Sequence, residues 1–177
     1  MDRPPAETWT VGRLLTWTAE FLKKKGADSP RLDAEVLLSH VLNWPRVQLY
    51  THFEDEVGEQ ARATFRELVK KRSEGAPVAY LVGRKEFFSL SFAVTPSVLI
   101  PRADTETAVV AALDCLKGRP TPHVVDVGTG SGCLALTIAK RCEGAKIVAI
   151  DLSNDALAVA SANAKTLGLS EDRKSVV

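Results

Sequence analysis

The sequence has little of what would assign a metal, a membrane or a nucleic acid to it. It holds three cysteines, Cys115, Cys133 and Cys142, and no C-x-x-C pair. An odd, unpaired set argues against a disulfide framework and thiolate metal ligation, and reads as small core residues in a reducing cytoplasm. No apolar run approaches the roughly 20 residues that a membrane-spanning helix needs. The opening Met1-Asp2-Arg3-Pro4-Pro5 lacks the basic-then-apolar order of a secretory signal. A cytoplasmic location without a membrane partner is therefore expected. Charge of one sign is missing too: the net charge is +1, with 14 Lys/Arg against 12 Asp/Glu in residues 1–85 and 9 against 10 in residues 86–177. Counterion release would favour a clearly basic face, so no direct nucleic-acid partner is expected. The three histidines, His40, His52 and His123, have no Cys or Asp at ligand spacing, and no metal site is assigned.

What is present is an ordinary globular composition, 45% hydrophobic and 25% charged, over 177 residues. That length suits one domain, or a small domain with part of another. The first 75 or so residues read as helices. Val11, Leu14, Leu15, Phe21 and Leu22 share one helical face, with Thr10 placed to cap the start and Gly26 to end it. Ser29-Pro30 opens a second helix whose stripe is Ala34, Leu37, Leu38, Val41 and Leu42, stopped by Trp44-Pro45. Glu59 to Glu74 forms a further helix through Ala61, Phe65 and Leu68, closed by Gly75. Short amphipathic helices bury their stripes only against one another, which predicts a small bundle. The runs Lys23-Lys24-Lys25 and Lys70-Lys71-Arg72 sit near helix ends, where cations favour the dipole.

The pattern changes near residue 86. Phe88, Leu90, Phe92 and Val94 alternate with smaller residues, which predicts one strand. Thr95-Pro96-Ser97 reads as a turn, and Val98-Leu99-Ile100 as the strand that completes a hairpin connector. Asp104 is placed to cap a helix through Val109, Val110, Leu113 and Leu116. From His123 the elements alternate: strand 123–127, a glycine turn, helix 133–142, strand 147–150, and helix 154–167 capped by Ser153 and closed by Gly168. Ser175-Val176-Val177 then opens a third strand. Strand–helix–strand alternation implies a parallel sheet with right-handed crossovers.

The chemistry is concentrated in Val124-Val125-Asp126-Val127-Gly128-Thr129-Gly130-Ser131-Gly132, a strand expected to be buried that runs into three glycines within five residues. Glycines here let the chain turn sharply, expose N–H groups and admit a ligand closely, while the next helix points its positive end at the same place. A dinucleotide turn needs G-x-G-x-x-G, but the position of its third glycine is Cys133. The G-x-G-x-G found here is the form used for S-adenosylmethionine. Asp151, after Ile147-Val148-Ala149-Ile150, is placed to accept both ribose hydroxyls, and Asp126 to orient the ligand's ammonium. Ser131 is flanked directly by glycines, so it is no nucleophile elbow and a hydrolase reading is poor.

These segments together resemble the release-factor glutamine N(5)-methyltransferase family, of the HemK type. The resemblance rests on Ser29-Pro30-Arg31-Leu32-Asp33-Ala34-Glu35, Pro77-Val78-Ala79-Tyr80-Leu81-Val82-Gly83 with Glu86-Phe87, and Val98-Leu99-Ile100-Pro101-Arg102-Ala103-Asp104-Thr105-Glu106. It also includes Asp126 to Cys133 and Asp151-Leu152-Ser153. It implies a helical docking domain over residues 1–83, a β-hairpin connector over 84–101 and, over 102–177, an incomplete S-adenosylmethionine-dependent domain, the first part of a Rossmann-like class I methyltransferase. Cofactor roles are implied for Gly128, Thr129, Gly130, Ser131, Gly132 and Asp151, with Asp126 in support and Arg102 and Thr105 bordering the pocket. The implied partner is a class I peptide-chain release factor, methylated on the glutamine of its Gly-Gly-Gln loop by a monomeric enzyme. The family's Asn-Pro-Pro-Tyr motif, which holds the target amide, does not occur in the sequence. The expectation is thus the front part of such an enzyme, with no catalytic residue assigned and no methyl transfer by the chain alone. Two alternatives stand beside it: a fragment of a nucleic-acid N-methyltransferase, and a non-catalytic release-factor-binding protein.

Overall fold

The computed structural model describes residues 8–169 and 174–176. The chain divides between Val82 and Gly83 into two compact units. The first consists of helices α1 (Val11–Lys24), α2 (Pro30–Leu42), α3 (Gln48–Thr51), α4 (Glu59–Ser73) and α5 (Val78–Val82). The Thr10 hydroxyl accepts from Arg13 N, capping α1 as expected. Ser29 precedes α2 without a side-chain cap, and Pro30 alone sets its first turn. The predicted stripes form one core. Val11, Leu14, Leu15 and Leu22 of α1 and Ala34, Leu37 and Leu38 of α2 are buried with Leu49, Phe65 and Val69. Each fully buried Leu or Phe contributes about 1.5–3 kcal/mol relative to exposure. Two buried carboxylates pin this core. Asp33 accepts from Arg72 Nε at 2.7 Å. Glu35, 3% exposed, accepts from Arg31 Nε at 2.9 Å, Arg46 Nη2 at 2.6 Å and the Tyr50 hydroxyl.

The second unit begins with a hairpin whose bounds differ from the expected ones. Strands β1 (Arg84–Phe87) and β2 (Leu90–Ala93) pair antiparallel, and the reversal falls at Phe88-Ser89, inside the alternating run. Both turn residues have positive φ, 50° and 60°, as a tight two-residue hairpin turn requires. Local preference opposes this for Phe. The turn is held from outside, by Phe88 N donating to Glu106 Oε1 at 2.9 Å and by the Arg141 guanidinium bonding Phe88 O. The run 98–100 is not a strand: Val98 N closes a turn onto Thr95 O, and Pro101 offers no donor for a ladder.

Helix α6 (Asp104–Leu116) follows; Ala103 occupies its N-cap position without a side-chain hydrogen bond, and Asp104, expected as the cap, is the first helical residue. The chain then alternates through β3 (His123–Val127), α7 (Cys133–Arg141), β4 (Lys146–Ile150), α8 (Asn154–Thr166) and β5 (Lys174–Val176). The sheet is parallel, in the order β3-β4-β5, with Asp126 opposite Ala149 and Val127 opposite Ile150. The expected third strand is therefore β5, though Val177 lies outside the described residues. Phe87, Phe92, Val109, Leu136, Ile138 and Ile147 build this unit's core. The expectation of a buried β3 is corrected: Val125 is 62% and Val127 75% exposed. β3 has a hydrogen-bonded neighbour on one side only, so it is a sheet edge among the described residues.

Candidate functional site

The register of the parallel strands places the site. Because Val127 faces Ile150, the next residues on each strand, Gly128 and Asp151, leave the sheet level with one another. The last carbonyl of β4 fastens the turn: Ile150 O accepts from Gly128 N at 2.9 Å and Thr129 N at 3.0 Å. The chain then passes through Gly128, Gly130 and Gly132 at φ of 75°, 56° and 78°. These are left-handed values that cost an L side chain about 1–2 kcal/mol each. A Cβ on Gly128 or Gly130 would meet nothing within 4 Å, whereas one on Gly132 would meet Leu136 Cδ1 at 2.9 Å and Ala160 Cβ at 3.3 Å. The first two glycines thus face open space, and the third lies against the protein.

Two carboxylates organise the turn. Thr129 Oγ1 donates to Asp126 Oδ2 at 2.8 Å. Asp151 accepts from Gly130 N through Oδ2 at 2.9 Å and from Ser153 N through Oδ1 at 3.0 Å. The N–H of Ser153, then that of Gly130, hold the Asp151 carboxyl below its ordinary value. Asp151 is thus a fixed anion, and a carboxylate has acceptor capacity beyond these bonds. Ser153 also caps α8 through Ala156 N at 3.2 Å. Cys133 offers no nucleophile: burial pushes its thiol up, and the charge of Asp126 adds to the effect. Ser131 is buried, and its hydroxyl has no hydrogen-bond partner of regular geometry.

Seven of the sequence-predicted positions, Asp126, Gly128, Thr129, Gly130, Ser131, Gly132 and Asp151, are therefore gathered into one turn and its anchors. Arg102 and Thr105 are placed at the opening of α6, where Thr105 N bonds Arg102 O at 3.1 Å, and no hydrogen bond joins either to the turn. His123 is exposed on β3, and His52 pairs with Asp55 at 2.7 Å. Among the described residues no cluster of three metal-ligating side chains occurs, and no helix is long and apolar enough to cross a membrane. One participant was missed by the sequence reading. Asn163 of α8 is 1% exposed and donates to Ser131 O at 2.8 Å. Its only signal was a lone asparagine among the alanines of the buried helix face.

A Rossmann-like parallel sheet entered through a G-x-G-x-G turn, with an acid at the tip of the second strand, defines the second unit as a partial methyltransferase fold. Comparison with known proteins narrows this. Residues 13–83 match the PrmC N-terminal domain, and residues 101–176 match the methyltransferase small domain. The chain is 50% identical over 167 residues to the release factor glutamine methyltransferase of Rhodopirellula baltica, covering 92% of this chain and 56% of that protein. It is 42% identical over 165 residues to the protein of that name from Geobacter sulfurreducens, with the same coverage of 92% and 56%. The match to the Chlorobaculum tepidum protein of that name is 42% over 173 residues, with 95% and 59% covered. The chain is thus similar over nearly its whole length to proteins named release factor glutamine methyltransferase, and it spans about half the length of the curated relatives it matches.

Proposed function

We propose that the turn and its two carboxylates bind S-adenosylmethionine for N(5)-methylation of the glutamine in the Gly-Gly-Gln loop of a class I peptide-chain release factor. The carrying observation is Asp151: an anion fixed by two backbone N–H groups, with further acceptor capacity, beside glycines that face open space. A ribose diol supplies two donors for such a carboxylate. Gly128 and Gly130 allow the ligand to approach the backbone, and the first turn of α7 directs unpaired N–H groups to the same side. Asp126, whose Oδ2 accepts from the Thr129 hydroxyl, is the group for the ligand's ammonium. The Ser131 hydroxyl adds a buried polar group without a regular partner. Arg102 and Thr105 would border the pocket from α6.

When bound, S-adenosylmethionine supplies a methyl group on a positive sulfur. The residues of this chain hold and orient that donor. A glutamine nitrogen is a poor nucleophile because its lone pair is delocalised into the carbonyl, so transfer also needs acceptors that align the amide. In the family that is the work of the Asn-Pro-Pro-Tyr motif, which residues 1–177 do not contain. The helical unit over residues 1–83 is the release-factor docking domain in this reading, with the hairpin between it and residues 102–177.

Titration calorimetry with S-adenosylmethionine tests the cofactor half. One-to-one binding is expected, and weakened binding in Asp151→Ala. Absence of binding at millimolar ligand by a folded chain would refute the assignment. Co-sedimentation with a class I release factor tests the partner half, with a folate enzyme or other unrelated protein as the negative control.

A further inference from the structure

We propose that Asn163 is a positioning residue for the cofactor, one that locks the glycine turn to the β1–β2 hairpin; this rests on the reading of the turn as a cofactor site. Asn163 makes three hydrogen bonds to two segments distant in sequence. Its Oδ1 accepts from Ala93 N at 2.7 Å, and its Nδ2 donates to Ala93 O at 3.0 Å and to Ser131 O at 2.8 Å. The amide orientation is fixed by the partners: a flip would set the NH2 against an N–H and the oxygen against two carbonyls. Both Nδ2 hydrogens are used, and the side chain is 1% exposed, so water is no substitute.

The bonds to Ala93 reproduce the N–H and C=O exchange of one antiparallel strand pair. Asn163 therefore continues β2 by one side chain and hands the pairing on to the turn. There the Ser131–Gly132 peptide is held at both ends: its carbonyl by Asn163, and its N–H by Thr129 O at 2.9 Å. A peptide plane gripped on both sides cannot rotate, and this plane separates Gly130, whose N–H binds Asp151, from the start of α7. Ala160, one helical turn before Asn163, packs where a Cβ on Gly132 would sit. Helix α8 thus fixes both the plane and the close approach, and the hairpin and the cofactor turn share one anchor.

The test uses Asn163→Asp in the whole chain. The aspartate keeps the acceptor for Ala93 N but sets a carboxylate against two carbonyls, so burial and repulsion raise its pKa. S-adenosylmethionine affinity is expected to fall about tenfold at about pH 8. It is expected to recover in part near pH 5, where the protonated acid donates one bond, while the parent chain changes little between the two. A generic loss of stability would not regain affinity on acidification, and circular dichroism monitors folding throughout. A second measurement needs no variant: in the parent chain, adding S-adenosylmethionine should slow hydrogen exchange at Gly132 N–H and Ala93 N–H together. Unchanged affinity in a folded Asn163→Asp, or an Ala93 amide indifferent to the cofactor, overturns the proposal. Failure of the parent chain to bind refutes the cofactor reading instead. The link itself is then judged by exchange in the variant: faster exchange at both amides keeps it, and an unaltered Gly132 amide removes it.

Discussion

Replacing the three glycines of the turn singly by alanine should separate stability from ligand binding, in opposite orders. All three have positive φ, which costs an alanine about 1–2 kcal/mol, offset by about 0.4–1 kcal/mol from the stiffer unfolded chain. Gly128→Ala and Gly130→Ala meet nothing within 4 Å. Each should therefore destabilise the second unit by about 1 kcal/mol. Gly132→Ala carries the same strain and also an overlap with Leu136 Cδ1 at 2.9 Å and Ala160 Cβ at 3.3 Å. Leu136 is buried and Ala160 cannot retreat without α8, so overpacking adds about 1–3 kcal/mol. Binding should run the other way, because the open space beside Gly128 and Gly130 is where a ligand meets backbone. Their methyls should lower S-adenosylmethionine affinity at least about tenfold, a loss of about 1.4 kcal/mol. Urea unfolding by far-UV circular dichroism measures the first order. Tryptophan fluorescence gives an internal reference, since Trp9, Trp17 and Trp44 all lie in the first unit. Calorimetry measures the second order. Gly128→Ala with parental affinity, or with a loss of stability equal to that of Gly132→Ala, would refute this reasoning.

Two further outcomes follow from the carboxylates. Asp151→Asn must turn an NH2 toward either Gly130 N–H or Ser153 N–H, so S-adenosylmethionine affinity should fall at least about tenfold by calorimetry. In the parent chain the depressed Asp151 stays ionised above the unfolded carboxylate range, so binding should be flat from about pH 5 to pH 8 and weaken only on stronger acidification. For Glu35, burial raises the carboxyl, but hydrogen bonds from Tyr50, Arg46 and Arg31 outweigh it and leave the group lowered. A depressed carboxylate stabilises above its unfolded pKa, and that contribution is lost as pH falls through the folded value. Glu35→Gln should thus destabilise the first unit by about 1–2 kcal/mol near neutrality. The gap to the parent chain should close below about pH 4, followed by tryptophan fluorescence in urea.

The three long helices of the first unit, α1, α2 and α4, were legible because their information is local. Thr10 caps, Pro30 opens, Gly26 and Gly75 sit at φ of 80° and 101°, and the apolar spacing marks the buried face. The glycine turn was legible for the same reason, since positive φ at three nearby positions needs glycine. The hairpin was not, because its turn breaks the local rule. Phe88 and Ser89 adopt left-handed values that sequence assigns to Asn-Gly, and Glu106 and Arg141, 18 and 53 residues away, hold Phe88 there. The alternation of Phe88, Leu90, Phe92 and Val94 therefore read through the reversal. Helices α3 and α5 were missed because four and five residues are too few to show a period. Glu35 stood in a quoted motif without any sign that three donors from Arg31, Arg46 and Tyr50 converge on it.

The same division runs through the site. Glycine and aspartate can be recognised in a sequence because their side chains, or the lack of them, do the work. What holds the turn besides these carboxylates is mostly backbone: Ile150 O on β4, Thr129 O within the turn itself, and Ser153 N before α8, which fixes Asp151. Such groups are present at every residue and carry no sequence signal. Asn163 is the exception, a side chain used as a piece of strand, and it bonds Ala93, 70 residues away. Because these anchors come from separate elements, the turn reaches its binding shape only when β4, α8 and the hairpin have packed. Cofactor affinity should therefore track the folding of the second unit as a whole, and a change at Asn163 should reach the cofactor without touching it.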